Sequence, residues 1–226
     1  MIRSPDVPPA VPSWIDGRAY LAVPSRFTEV RERGGGQVLR RSPLGGAHEA
    51  ARAVESAQKA LTDWAVVAMT DRIAMLKQLA DSLDTYAEHL AGLLVEESGW
   101  TEEGARADVS EAATCLREAR PSGQIGVVAI GIDSSPLLHD WLPQVVGPLL
   151  AGASVIVKPD PRAPSVTVAF AELTARAGLP AGVFNVLQGD AQTLAALRAH
   201  PGITVVTAAQ PPSATSVGDT GKVERE

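Results

Sequence analysis

Lys158 directly follows the apolar run Val155-Ile156-Val157, and Ser134 and Ser135 stand just ahead of a segment with helical spacing that opens near Pro136. An ammonium group at a strand end can hold a ribose hydroxyl or a phosphate oxygen, and the free amides of a helix start favour an anion. Each residue also has a plainer reading, a solvated lysine at a strand end and a serine acting as a helix cap. Gly189 lies in a third loop of the same kind, Gln188 to Ala191. No other constellation carries obvious chemistry. Cys115, the only cysteine, falls on a helical stretch between Glu111 and Glu118 without a neighbouring histidine, and a reactive thiolate needs positive surroundings. The histidines His48, His89, His139 and His200 never fall three or four residues from another metal ligand, so no metal site is expected. Glu96-Glu97 and Glu102-Glu103 read as a solvated surface or the start of a helix rather than as acid–base pairs. Neither GxGxxG, GxxxxGK[ST] nor HExxH occurs, and Gly34-Gly35-Gly36 and Gly45-Gly46 read as turns.

The elements that must position these loops follow from hydrophobic period. From Gln124 onward short apolar runs alternate with helical spacing. The runs are Ile125 to Ile130, Ala153 to Val157, Val183 to Leu187 and Ile203 to Val206; the helical stretches between them are Pro136 to Leu150, Pro164 to Ala177 and Ala191 to Ala199. Such alternation predicts right-handed crossovers on a Rossmann-like parallel sheet with helices on both faces, where ligands bind beyond the carboxyl ends of the strands. Ahead of it, Trp14 to Leu44 reads as short antiparallel strands. Ala47 to Trp64 and Thr70 to Gly99 read as long helices, with Trp64, Trp100 and Trp141 as core anchors. Residues 1–13 carry four prolines and read as a mobile arm, residues 14–207 as one nucleotide-binding domain, and residues 208–226 as a disordered polar tail.

With 226 residues of which 45% are apolar, the chain can bury a substantial core. A net charge of −6 and a pI near 5.3 provide no basic field for nucleic acid or for anionic membrane surfaces. A single cysteine suits a reducing compartment, prolines interrupt any leader-like run at the start, and no apolar run approaches a membrane span, so a cytoplasmic location is expected.

From Gly152-Ala153-Ser154-Val155-Ile156-Val157-Lys158-Pro159 to Pro164, and again in Ala177-Gly178-Leu179-Pro180-Ala181-Gly182-Val183-Phe184-Asn185-Val186 with Gly189, the sequence resembles the aldehyde dehydrogenase superfamily. Those stretches are similar to its "GNTVVLKPAEQTP" and "AGLPPGVLNVVTG" blocks. Ile15-Asp16-Gly17, the helix ending at Trp64 and Glu97-Ser98-Gly99 resemble its weaker N-terminal signatures. The resemblance spans about Trp14 to Val206 and implies a truncated aldehyde dehydrogenase-like fold. It further implies a NAD or NADP site at Lys158, Ser134 and Gly189.

Departures from the family pattern shape the functional expectation. The family's "PWNFP" asparagine, an oxyanion donor, corresponds to Ser134, and loss of such a donor costs ~10²–10³ in turnover in comparable sites. Pro161 stands where the family's ribose-binding glutamate would be, leaving Lys158 without that partner. Ala208-Ala209-Gln210-Pro211 replaces the "FTGS" turn, and the family's general-base glutamate and nucleophilic cysteine have no counterpart. Between Ala119 and Gly126 the family's projecting antiparallel arm, which helps to make the oligomer, is missing. The resemblance therefore implies no catalytic residue in this chain, dinucleotide binding that is weak or lost, and no metal. A non-catalytic accessory module docking on a catalytically complete aldehyde dehydrogenase is the leading expectation, similar to the degenerate second module of family-16 aldehyde dehydrogenases. One alternative is part of an NAD(P)-dependent oxidoreductase whose cysteine and glutamate come from another chain, and another is a vestigial product. A sheet edge left open after Val206, which wants cover, is the corollary of the accessory-module expectation.

Overall fold

The computed structural model describes residues 7–21, 26–33, 36–133 and 135–208. Two antiparallel pairs open the chain. Strands β1 (Ser13–Ile15) and β2 (Arg18–Tyr20) turn through Asp16 and Gly17, both at positive φ, and β3 (Phe27–Arg31) pairs with β4 (Val38–Pro43). Helix α1 (Ala47–Trp64) buries Ala50, Ala53, Val54, Ala57 and Trp64, one stripe at three- and four-residue spacing. The Trp64 indole donates to the Leu149 carbonyl at 3.0 Å, so this large ring is buried without orphaning its N–H.

The stripe from Thr70 to Gly99 is two helices, not one: α2 (Met69–Thr85) and α3 (Ala87–Ser98) meet at Tyr86, φ −104° and ψ 17°. Ser82 and Thr85 donate their hydroxyls back to the carbonyls of Gln78 and Asp81, a competing bond that bends helices, and the break follows them directly. Gly99 ends α3 at φ 71°. Helix α4 (Glu102–Glu118) starts on Thr101, whose hydroxyl accepts the Gly104 amide at 3.1 Å. Trp100 lies between α3 and α4 and is 44% exposed, so the expectation of a third tryptophan anchor is corrected. Its neighbours in sequence are a helix stop and a cap, which turn it away from the buried stripe.

The remainder is the crossover unit: β5 (Val127–Gly131), α5 (Leu138–Ala151), β6 (Ser154–Lys158), α6 (Ser165–Arg176), β7 (Phe184–Val186), α7 (Ala191–Ala199) and β8 (Val205–Ala208). Four parallel strands and the β1–β2 pair form one sheet in the order β2-β1-β7-β6-β5-β8. The fold is thus α/β, with a parallel sheet extended by two antiparallel strands. From β5 the chain steps to β6 and β7, then returns to the far flank of β5. Right-handed connections place helices on opposite faces when the direction reverses. Accordingly, Val128, Ile130, Val155, Val157, Phe184 and Val186 pack with α2 to α6, while Val127, Ala129, Ile156 and Leu187 pack with α1 and α7. Successive side chains of one strand serve opposite layers. Trp141, Phe170 and Phe184 form an edge-to-face series with centroids 5.3 Å apart.

Residues 9–13, expected within a mobile arm, are packed. Val11 donates to Arg41 at 2.9 Å, Arg41 donates to Pro9 at 2.8 Å, and Val11 is buried. Prolines hold this stretch extended, and Val11 between them keeps the amide that pairs. Residues 1–6 of that arm, residues 209–226 of the expected tail, and Gly34 and Gly35 lie outside the described residues. Residues 119–126 run as a short link with no strand, Ser122 donating to Gly147 at 3.1 Å. Strand β8 has β5 as its only neighbour among the described strands.

Candidate functional site

The carboxyl edge of the parallel strands gathers Asp133 after β5, Lys158 through Arg162 after β6, and Gln188 to Asp190 after β7. Parallel register sets Gly131 beside Lys158, and Ile132 donates to the Lys158 carbonyl at 2.8 Å. That places Asp133 next to the lysine. Lys158 Nζ donates to Asp133 Oδ1 at 2.7 Å; the lysine side chain is 1% exposed and the aspartate 57%. Lys158 is therefore neither solvated nor unpaired. Asp133 supplies a carboxylate where Pro161 left none, and the β5–β6 register was the signal that could have found it.

A second ion pair adjoins the first. Arg162 makes a bidentate contact with Asp160, Nε to Oδ1 at 3.0 Å and Nη2 to Oδ2 at 2.6 Å, and Nη2 also reaches the Asp133 carbonyl at 3.4 Å. The Asp160 hydrogen bonds, and then its charge, raise the Arg162 guanidinium above its ordinary range. Two cations and two anions cancel at this edge. A neutral hydroxyl fits such a surface, donating to the exposed Asp133 carboxylate. A dianionic phosphate gains no net field from it.

Ser134 lies outside the described residues. The helix start that it precedes is occupied from within. Helix α5 has no side-chain cap of its own, and buried Asp108 on α4 accepts the Leu138 and His139 amides, each at 3.0 Å. The anion favoured at that terminus is thus the protein's own carboxylate. Gly189 is closely packed as well. It is buried, and a Cβ there would overlap the Thr193 side chain. Asp190 caps α7 by accepting the amides of Gln192 at 2.8 Å and Thr193 at 3.3 Å. Gly189 permits this tight turn.

Sequence reasoning missed three polar groups. Gln188 accepts Ser42 Oγ at 3.2 Å, donates its side-chain amide to Pro12 at 3.2 Å, and gives its backbone amide to Ser13 Oγ at 3.0 Å, joining β7 to both N-terminal strand pairs. Glu97, expected on a solvated surface, is buried: it accepts the Ser165 amide at 3.0 Å, the Ser165 hydroxyl at 2.5 Å and Arg40 Nη1 at 3.0 Å. Burial pushes its carboxyl above the ordinary range against the pull of those bonds. Thr207 Oγ1 is buried without a partner among the described residues, on β8 opposite Ile130, where the strand order reverses. A cavity of about 500 Å³ beside this edge is lined by Glu97, Ser98, Pro136, Asp160 and Arg162, together with the end of β3 and the two residues after it.

Cys115 is half-buried on α4, and burial together with the Glu118 charge raises its thiol above the ordinary range. Among the described residues no group of three or more His, Cys, Asp or Glu is arranged to hold a metal, and no helix is long and apolar enough to cross a membrane.

The aldehyde dehydrogenase family profile matches residues 21–124 and 138–209, more than half of the chain. The N-succinylglutamate 5-semialdehyde dehydrogenase of Chromohalobacter salexigens is 32% identical over 212 residues, covering 82% of this chain and 41% of that protein. The lactaldehyde dehydrogenase of Escherichia coli is 25% identical over 224 residues, 89% of this chain and 47% of that protein. Among solved structures, indole-3-acetaldehyde dehydrogenase in its apo form superposes with a TM-score of 0.79 at 28% identity, over 87% of this chain and 51% of that one. An NADP-dependent enzyme of E. coli gives 0.78 at 25% identity, over 87% and 46%. The chain spans about half the length of the curated relatives it matches.

Proposed function

This chain belongs to the aldehyde dehydrogenase family, and we propose that it acts as a non-catalytic, dehydrogenase-like module that docks on a protein partner and does not oxidise aldehydes by itself. The observation that carries this reading is Cys115. It is the only thiol in the sequence, half-buried on α4 beside Glu118, and its surroundings oppose ionisation. Covalent capture of an aldehyde needs an accessible thiolate and a base to activate it, and no such pair is assembled among the described residues. A catalytically complete aldehyde dehydrogenase in the cytoplasm is the partner that this reading favours.

A nicotinamide dinucleotide supplies a hydride acceptor when bound. Asp133 fits a ribose hydroxyl, which can donate to its exposed carboxylate, while the buried Lys158 ammonium holds that carboxylate in place. The phosphate end fits poorly, since the amides opening α5 and α7 already serve Asp108 and Asp190. Two missing groups of contacts at about 1–2 kcal/mol each move a micromolar site towards millimolar, so binding of NAD or NADP is weak. Calorimetric titration of the chain with both dinucleotides, alongside Lys158→Ala, tests this: weak heat abolished by the substitution is expected, and micromolar binding or binding indifferent to Lys158 overturns it. Aldehyde-dependent NAD(P)H formation by the purified chain would overturn the non-catalytic reading.

A second reading rests on Thr207. Its buried hydroxyl has no partner among the described residues and lies on β8, the outermost described strand, an edge that suits a sheet which another polypeptide continues, one that brings the cysteine and glutamate of a dehydrogenase site. Mixing the chain with family members that are inactive alone, and following NAD(P)H, separates the two readings.

A further inference from the structure

His139 stands at the second position of α5 with three carboxylates around it. Nδ1 lies 2.6 Å from Asp108 Oδ1 and 3.8 Å from Glu111 Oε2, both on α4, and Nε2 lies 3.2 Å from Asp140 Oδ1 on its own helix. The Asp108 and Asp140 side chains are 2% and 5% exposed, Glu111 is 65% exposed, and the imidazole 31%. Among the described residues these are the charged groups paired with His139; none on α2, β5 or β6, which also pack near α5, pairs with it. Asp140 Oδ1 has no hydrogen-bond partner among the described residues, and the imidazole is the side chain there that pairs with its charge.

We propose that His139 is a proton-operated clasp: as an imidazolium it holds the start of α5 against α4 through Asp108 and Asp140, and loss of its proton releases that hold. The chemistry of the ring dictates the two states. A neutral imidazole keeps one N–H, which the short contact assigns to Asp108, and then sets an unprotonated Nε2 close to a buried carboxylate oxygen. Two electron-rich atoms at 3.2 Å repel, and a buried charge is left uncompensated. The imidazolium instead keeps its N–H on Asp108 and sets a positive charge beside Asp140. Among the described residues Asp108 is the side chain that caps α5, through the amides of Leu138 and His139, so the clasp and the cap share one carboxylate. What it controls is the order of the segment Ser135 to Leu138, which leads back to the sheet edge at Asp133.

The direction of the effect follows. Although partial burial works against the charged ring, the Asp108 hydrogen bond and the charges of Asp108, Asp140 and Glu111 outweigh it, and His139 titrates above the ordinary 6.5. A raised histidine stabilises the fold fully below its unfolded pKa, and the contribution disappears as pH rises through the folded value. The clasp is therefore closed at mildly acidic pH and opens on the alkaline side of 6.5.

The test combines an NMR titration of the His139 ring with amide hydrogen exchange of Leu138 and His139, corrected for the intrinsic pH dependence of exchange, on the whole chain. A ring midpoint above 6.5 is expected, with protection of both amides falling over the same interval. In His139→Gln that fall should vanish. In Asp140→Asn, whose side-chain amide can donate to a neutral ring, the midpoint should drop and protection should persist at higher pH. Glu111→Gln, at the exposed rim, should shift the midpoint less than Asp140→Asn. A wild-type midpoint at or below 6.5, protection unchanged across the ring titration, or the same pH dependence in His139→Gln would each overturn the proposal. The wild-type titration decides even if a variant fails to fold.

Discussion

Glu97, near the end of α3, accepts both the backbone amide and the hydroxyl of Ser165, the first residue of α6 and 68 positions along the chain. It caps one helix from the end of another, and Arg40 on β4 closes the third side at 3.0 Å. The cluster thus ties the β3–β4 pair, the helical layer and the crossover unit together. Glu97→Ala leaves the Ser165 amide and hydroxyl without their acceptor and leaves Arg40 only its exposed partner Glu96, and is expected to cost about 2–4 kcal/mol in denaturant unfolding. Glu97→Gln keeps an acceptor for Ser165 and should cost about 1–2 kcal/mol. Burial raises the Glu97 carboxyl above 4.5, so its contribution to stability declines as pH rises from that value through the folded pKa. The glutamine variant should lack that portion of the pH profile, and equal losses for the two substitutions would show that packing rather than hydrogen bonding matters here.

At the sheet edge the two members of the Lys158–Asp133 pair are unequal, because only the lysine is buried. Asp133→Ala strands an ammonium in the interior and should lower stability by about 2–4 kcal/mol, whereas Lys158→Met removes the charge, fills similar volume and should be close to neutral. Thermal melting of both variants checks the order. If Asp133→Ala is harmless, Lys158 has another route to solvent and the pair does not define the site.

The parallel strands and their crossover helices were legible because apolar runs of four to six residues alternate with helical spacing over Ile125 to Val206, and each run lies close to an observed strand. The polar groups that organise the site were not. Glu97, Asp108 and Gln188 are single residues whose partners lie from 30 to 176 positions away, and nothing in their local sequence marks them as buried. Lys158 was placed at the correct strand end, but its partner depends on the register between β5 and β6, which periodicity does not specify. Gly189 was legible as a turn residue after β7, while its reason, the space taken by Thr193, is a tertiary contact. Trp100 failed for the opposite cause, since residue type suggested burial but the helix stop at Gly99 left it outside the stripe.

Gly189→Ala should destabilise the chain by about 1–3 kcal/mol, the usual cost of overpacking, because the added methyl meets the Thr193 side chain. Thr193→Ala alone loses the hydroxyl's bonds to the Gly45 carbonyl and the Asp190 amide. The double variant relieves the clash, so the two losses should be less than additive, with a coupling of about 1 kcal/mol or more measured by a double-mutant cycle. Strict additivity would mean that Gly189 matters through something other than Thr193, and a role in contacting a ligand would regain weight.

Cys115 offers the sharpest check on the absence of thiol chemistry. Half-buried on α4 and facing the charge of Glu118, its thiol is harder to ionise than a free cysteine, and the thiolate is the reactive form. Labelling by a neutral alkylating reagent near pH 8 should therefore be at least several-fold slower in the folded chain than in the same chain unfolded in denaturant. Glu118→Gln removes the repelling charge and should narrow that gap without closing it, since burial is the larger cause. Cys115→Ala should fold, with a loss of about 1 kcal/mol from the missing sulfur contacts. Labelling as fast in the folded as in the unfolded chain would contradict both the burial and the electrostatics, and it would return Cys115 to consideration as a nucleophile.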